Sequence, residues 1–462
     1  AAAAAVAGQT IDSATDTKAT PDISAAAVQT PFKKLRAEEA CGDGRPSTTG
    51  LDPLKYIGSP RSWFQACVGG SVRLRHEWSQ DPDFGESPSD GNVFLNRTML
   101  HLEFSSVHWS RTFVELTIAS ANGRVLGPTP VDQDLTDIHQ IFSDLEFSVG
   151  GAMFGLRSGR QEMAFGSGRL IDVREGPNVR QPFQGARMWW QRNAWRVDAF
   201  GAQPIATRTG TFDNRPEDGQ WLWGVYGHHD FAASTQRIRT ELYYIGYRNP
   251  NGRYDQGAGL EVRHSIGARF EAALGNFETD IEGIIQFGDF GEGQILAWTV
   301  ATTSSYRVPD WPFAPRFSLS INAASGDRDP ADPDLQTFNP LFPRGNYFGQ
   351  LVIVGPANFF DVHPSVGLSL PYDIALTLDW EMFWRLSTED AVYAINRSIL
   401  RSGQSASDRF VAHLVSMSAQ KSFGRHLSAT VTFGQLFGGG FVADTAGGAS
   451  TRLIETSLVF TF

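Results

Sequence analysis

Lysine is nearly missing from this chain, cysteine is scarcer still, and long apolar runs are absent. No stretch approaches the ~18 consecutive apolar residues of a spanning helix, which excludes a helical membrane protein. That absence leaves a membrane β-barrel open, because barrel strands alternate and give a weak hydropathy signal. No P-loop or glycine-rich phosphate cradle is present, so nothing in the sequence points to a nucleotide as an energy source or to a nucleic-acid partner. The histidines, among them His76, His101, His264, His363 and His413, sit in no nucleophile motif of a hydrolase. Only Cys41 and Cys67 are available for a disulfide; two separate buried thiols is the other reading.

The five lysines (18, 33, 34, 55 and 421) stand against 34 arginines, in a chain of net charge −11. A GC-rich genome explains a general preference for arginine; it does not gather charge. Between Arg157 and Arg196 there are eight arginines, no lysine and only three carboxylates. Guanidinium groups grip carboxylates and phosphates bidentately, so this local surplus points to something anionic.

Residues 1–58 are small and polar, with no basic or apolar leader of their own. They read as the mature end left by signal-peptide cleavage and are expected to form a flexible periplasmic lead. From about residue 67 the chain alternates with period two, the pattern of half-buried strands. In 374–385, Ile374, Leu376, Leu378, Trp380, Met382 and Trp384 share one face, while Asp379, Glu381 and Arg385 lie on the other. About 18 such segments succeed one another, and the links between them alternate long and short. A soluble β-sandwich would also alternate, but the second face here is charged and the chain ends in an alternating strand closed by Phe462. The expected fold is all-β: a transmembrane antiparallel barrel of about 18 strands over 59–462, with short periplasmic turns and long extracellular loops. A closed sheet leaves no unpaired backbone edge in hydrocarbon. Tryptophans near strand ends, such as Trp78, Trp109, Trp189, Trp190, Trp221, Trp223 and Trp384, are expected in interfacial girdles.

A charge on the lipid face near the midplane costs about 2–4 kcal/mol, so charged residues on the strands belong inside. Parity then names the pore-lining candidates. They are Arg73, Arg75 and Glu77; Arg157, Arg187, Arg196 and Asp198; Arg239 and Glu241; Arg263 and Arg269; Asp280 and Glu282; and Asp379, Glu381 and Arg385. A ring of arginines favours anions, although the same charges could simply pair across neighbouring strands. Arg160, Arg169, Arg174 and Arg180 fall in or beside the link 163–182, either an inward constriction or an outer vestibule, and Arg344 lies in another long link. In that second link Asp327, Asp329, Asp332 and Asp334 form a weak calcium candidate, lacking the glycine and terminal glutamate of a dedicated loop; no other metal and no cofactor is expected.

The blocks GGSVRLRHEW (69–78), GRQEMAFGSGRL (159–170), REGPNVRQPFQGARM (174–188) and SGDRDP…TFNPLFPRGNYFG (325–349) resemble the alginate-export family of Gram-negative outer-membrane proteins. The resemblance spans roughly 60–462. It implies an 18-stranded monomeric barrel in the bacterial outer membrane and transport of an acidic polysaccharide through an electropositive pore. The expected function is a porin-like channel for anionic solutes, either an acidic polysaccharide such as alginate or its oligosaccharides, or a small organic anion. Its partners would be outer-membrane lipid, the solute and a periplasmic protein. Two other classes stay open: an outer-membrane barrel enzyme of the lipase or protease type, and a non-conducting structural or adhesin barrel.

Overall fold

The computed structural model describes residues 56–57, 64–85, 91–106, 110–233, 236–345, 347, 351, 354–446 and 450–462. Of the twenty strands in its main sheet, two are two-residue additions (Tyr56–Ile57 and Arg215–Pro216) and the other eighteen make the wall. In chain order these are β1 (Phe64–Gln80), β2 (Gly91–Ser106), β3 (Ser110–Asn122), β4 (Asp134–Val149), β5 (Ala152–Gln161) and β6 (Phe183–Arg192). Next come β7 (Trp195–Ala206), β8 (Trp221–Ala233), β9 (Gln236–Tyr254), β10 (Gly257–Leu274), β11 (Phe277–Phe290) and β12 (Gly293–Arg307). The last six are β13 (Arg316–Ala324), β14 (Phe359–Leu370), β15 (Ile374–Trp384), β16 (Phe410–Phe423), β17 (Leu427–Gly438) and β18 (Thr451–Thr461). Every neighbour is antiparallel, and β18 returns to β1 with Ser71 opposite Thr461 and Gln80 opposite Arg452, so the barrel closes.

Alternation sets the two faces. Leu74, Phe94, Leu242, Ile285, Leu296 and Trp380 stand exposed on the outside, an apolar surface that only lipid would cover. Their neighbours Arg73, Glu241, Gln286 and Glu381 are buried on the inside. Trp189 departs from the girdle expectation. It turns inward and is buried, because Gly155 on the adjacent strand has no side chain to occupy the space its indole fills. Residues 248–256, where proline and glycine suggest a link between strands, do not form a loop. β9 and β10 run on to Tyr254 and Gly257, absorbing Pro250 in a bulge between Asn249 and Gly252.

One end of the barrel carries short turns, such as Gly150–Gly151 and Asn193–Ala194. The other carries long links, and three of them (162–182, 325–358 and 385–409) fold into the lumen. Ile171 of the first bridges Phe342 of the second in parallel. Phe342 N–H donates to Leu170 O, Asp172 N–H to Phe342 O, and Arg344 N–H to Gly168 O. Around this seam Met163, Phe165, Leu170, Leu341, Phe342, Tyr347 and Val392 pack with Phe183, Phe200, Tyr226 and Tyr243 of the wall in one cluster. Each of the phenylalanines buried in this way contributes about 2 kcal/mol. The barrel therefore has a packed interior where the loops enter and not an open bore.

The lead expected at 1–58 falls almost wholly outside the described residues. Only Tyr56 and Ile57 are seen, pairing with Cys67 and Ala66. Cys67 is disulfide-bonded and buried on the inner face; Cys41 lies outside the described residues.

Candidate functional site

The 162–182 loop is fixed to wall strands β1 and β2 by a carboxylate. Glu175 accepts from Arg97, pairs with Arg180, and lies 3.7 Å from Arg73. Burial alone would raise its carboxyl, but Arg180, Arg97 and Arg73 outweigh that and pull it down to about 2. Backbone oxygens of the same loop take what the arginines have left. Arg73 donates to Glu175 O at 2.9 Å and Pro177 O at 2.7 Å, and Arg75 to Gly176 O at 2.6 Å. Asn178 Nδ2 donates to Asn96, Ser120 and Asp132 carbonyls at 3.0, 3.3 and 2.8 Å. The loop thus turns inward over the wall, and Arg73 and Arg75 lie beneath it. Sequence reasoning missed Glu175, Asn178 and Arg97. The available signal was a single acid, Glu175, among the arginines of REGPNVR.

Arg157, Arg187, Arg196, Arg239, Arg263 and Arg269 lie on the inner face of the wall, and each has a carboxylate. Arg157 grips Asp144 at 2.7 and 2.9 Å. Arg187 and Arg196 share Asp198, each at 2.8 Å. Arg239 chelates Asp230, Arg263 pairs with Glu261 at 2.6 Å, and Arg269 pairs with Glu241, Glu271 and Asp280. Arg160, expected at the mouth, sits in β5, bonded to Asp137 at 3.1 Å and Ile138 O at 2.8 Å. It turns there because Gly159, at φ +135°, lies against the Ile141 carbonyl, a position a side chain would not tolerate.

Arg385 is corrected as a pore residue. It is 1% exposed and donates to the carbonyls of Thr388, Asp390, Gly403, Ala406 and Asp408, with its guanidinium 3.9 Å from the Phe441 ring centre. Its work is to fold the 385–409 loop. Asp379 and Glu381 face inward around His363, at 3.0 and 3.7 Å from its Nε2. Asp327, Asp329, Asp332 and Asp334 do not converge. Their oxygens accept the N–H groups of Asp329, Ala331, Asp334 and Gln294, which is turn chemistry in place of a calcium cage.

The arginines of the inward loops differ among themselves. Arg169 lies 3.2 Å from Glu282 and over the Tyr347 ring, and Arg180 has Glu162 and Glu175. Arg344 donates to Tyr347 O at 3.3 Å and stacks on its ring at 5.9 Å, with no carboxylate in ion-pair range among the described residues. Burial lowers its guanidinium, and Arg169 beside it lowers it further. Arg174 is half-buried, holds a positive φ of 58°, and has no ion pair or hydrogen bond among the described residues. Burial, with the charge of Arg397 added, pushes it down to about 10. Arg397, which sequence reasoning also missed, reaches one carboxylate, Glu261, at 3.9 Å. The loops therefore bring Arg174 and Arg397 close enough to repel, and Arg174 has no acid of its own among the described residues.

A family model described as alginate export matches residues 64–455. None of the curated proteins matches this sequence. Among solved structures, the barrel is similar to the Pseudomonas aeruginosa channel OccK3 (OpdO), with a TM-score of 0.57 at 10% identity over 86% of this chain and 95% of that one. It is also similar to OpdK from that organism, solved with vanillate (TM-score 0.56, 9% identity, 86% and 98% covered). OccK2 (OpdF), solved in complex with glucuronate, gives a TM-score of 0.53 at 11% identity over 86% and 98%. At such identities the likeness is one of fold: a bacterial outer-membrane channel.

Proposed function

The chain belongs to the alginate-export family of outer-membrane proteins, and from that premise we propose that it is a monomeric channel for small organic anions. Uronates and short oligouronates are the favoured solutes, over the intact polysaccharide. The observation that carries the reading is Arg174: a half-buried guanidinium on the constriction loop without an acid of its own. Arg344 and Arg397 stand on the two loops beside it. A passing carboxylate supplies the missing charge, and a charge-assisted hydrogen bond of this kind contributes about 1.5–3 kcal/mol. That is enough to select and too little to trap. Similar barrels holding vanillate and glucuronate support a carboxylate as the solute. The packed loop cluster argues for small solutes, since a polymer would have to displace it. Flux would follow the solute's gradient, and residues 1–58 would form a periplasmic lead.

The same cluster favours one second reading, a barrel whose resting state does not conduct. A planar-bilayer recording in a salt gradient separates the two. The expected result is a conducting channel that prefers chloride over potassium, is blocked by glucuronate at millimolar levels, and loses that block in Arg174→Gln. Cation preference in the unaltered protein would overturn the anion reading, and absence of conductance would establish the second. Hydrolytic chemistry at the barrel would show instead as ester or peptide turnover by the purified protein.

A further inference from the structure

Where β4 runs beside β3 its register slips by one residue: Glu115 pairs with Gln140, but Leu116 pairs with Ile138. The residue between is His139. The bulge turns two consecutive side chains, His139 and Gln140, into the interior, where both are buried. His139 Nε2 lies 2.7 Å from Oε1 of Glu162, the first residue of the constriction loop. One ligand atom from each of Glu115, His139 and Glu162 lies within 4.8 Å of the others, the only such group among the described residues. Ligand atoms on one tetrahedral ion at about 2.0–2.2 Å stand about 3.4 Å apart, so the two carboxylates would close on the imidazole by up to about 1.4 Å when the ion enters.

Two further features distinguish this group from an ordinary ion pair. Gln140 holds both acids in place, orienting the Glu115 carboxylate by donating to its Oε1 at 3.0 Å and fixing the Glu162 backbone by accepting its N–H at 2.8 Å. Such outer partners are what set ligand geometry in metal centres. Glu115 is buried, yet has no arginine in ion-pair range among the described residues; besides His139, the His101 ring approaches, at 3.9 Å. Most inner-face acids do have an arginine, so Glu115 is short of positive charge. Arg180, 3.3 Å from Glu162, can yield that oxygen because it keeps Glu175.

We propose that Glu115, His139 and Glu162 bind a divalent transition metal of the zinc class, with water completing the shell. One imidazole and two carboxylates suit zinc better than calcium or magnesium, which favour all-oxygen sites. The ion ties the start of the constriction loop to two wall strands, so the site is a tether for that loop.

The test uses tag-free full chain in detergent, stripped with a chelator and titrated with Zn²⁺ by calorimetry, and separately with Co²⁺ by absorption. One equivalent of Zn²⁺ is expected, lost in His139→Gln and in Glu115→Gln, and weakened roughly 10–100-fold in Gln140→Ala. Co²⁺ should give visible bands of imidazole–carboxylate coordination in the unaltered protein, a reading that needs no variant to fold. No stoichiometric Zn²⁺ binding, or binding undiminished in a folded His139→Gln protein, overturns the site, as does Co²⁺ uptake without those bands.

Discussion

Two sets of arginines share this lumen, one on the wall and one on the loops, and they differ in how they are paired. On the wall, Arg157, Arg187, Arg196, Arg239, Arg263 and Arg269 each hold a carboxylate across or along the strands. On the loops, Arg174 and Arg344 hold none among the described residues. A wall pair contributes rigidity and little net charge. An unpaired loop guanidinium contributes charge and little rigidity. Clustering in the sequence therefore does not single out a filter; under the proposed function, the mark of one is an arginine without an acid of its own.

The largest expected effect comes from cutting the connection between the two sets. Glu175→Gln leaves Arg73, Arg97 and Arg180 without the carboxylate at their centre, and breaking a buried pair of this kind costs about 3–5 kcal/mol. The 162–182 loop should leave the lumen, seen as a rise in single-channel conductance together with new protease cleavage inside 162–182. If conductance and cleavage both stay as they were, Glu175 does not hold the loop.

A matched pair of variants sharpens the comparison with smaller effects. Arg174→Gln should lower the anion-to-cation permeability ratio severalfold while leaving the melting temperature unchanged, because no partner loses its bond. Arg157→Gln should do the reverse. It removes two hydrogen bonds to Asp144 at a cost of about 1–3 kcal/mol, seen as a lower melting temperature, with selectivity held. The opposite assignment, selectivity lost at Arg157 and stability lost at Arg174, would break the distinction between wall and loop.

The barrel itself was legible in the sequence because period-two alternation is a local property. Strand 374–385 shows both faces without reference to any neighbour, and parity placed Arg73, Arg157 and Glu381 inside. What parity cannot give is what lies over a side chain. Arg385 has the right face and the wrong role, since its five carbonyl acceptors come from a loop whose path depends on distant packing. Arg174 and Arg397 are 223 residues apart in sequence (397 minus 174) and belong to different loops. Their mutual repulsion is a product of the closed fold. Trp189 was misplaced for a related reason: the space that admits it belongs to Gly155 on another strand.

The smallest predicted effect sets the 385–409 loop against the 162–182 loop through pH. Glu175 is held by arginines; the Asp390 carboxylate has none in ion-pair range among the described residues and is held by neutral donors, Thr337 at 2.6 Å, Tyr393 at 2.6 Å and the Asp327 N–H at 2.9 Å. Burial raises the Asp390 carboxyl, the bonds from Thr337 and Tyr393 offset part of that, and it settles at about 6 against an ordinary 3.8. Its folded value lies above its unfolded one, so its stabilisation is complete below about 4 and is lost as pH rises through about 6. A shift of that size corresponds to about 3 kcal/mol at most. Glu175 has the opposite sign: its contribution is present above about 4.5 and disappears as pH falls toward 2. Protease cleavage within 385–409 should therefore quicken between about pH 4.5 and 6 and level off above that, while cleavage within 162–182 stays flat over that range. Asp390→Asn should flatten the first profile. A flat profile in the unaltered protein would mean that Asp390 ionises without loosening its loop, and that the arginine knot alone fixes both.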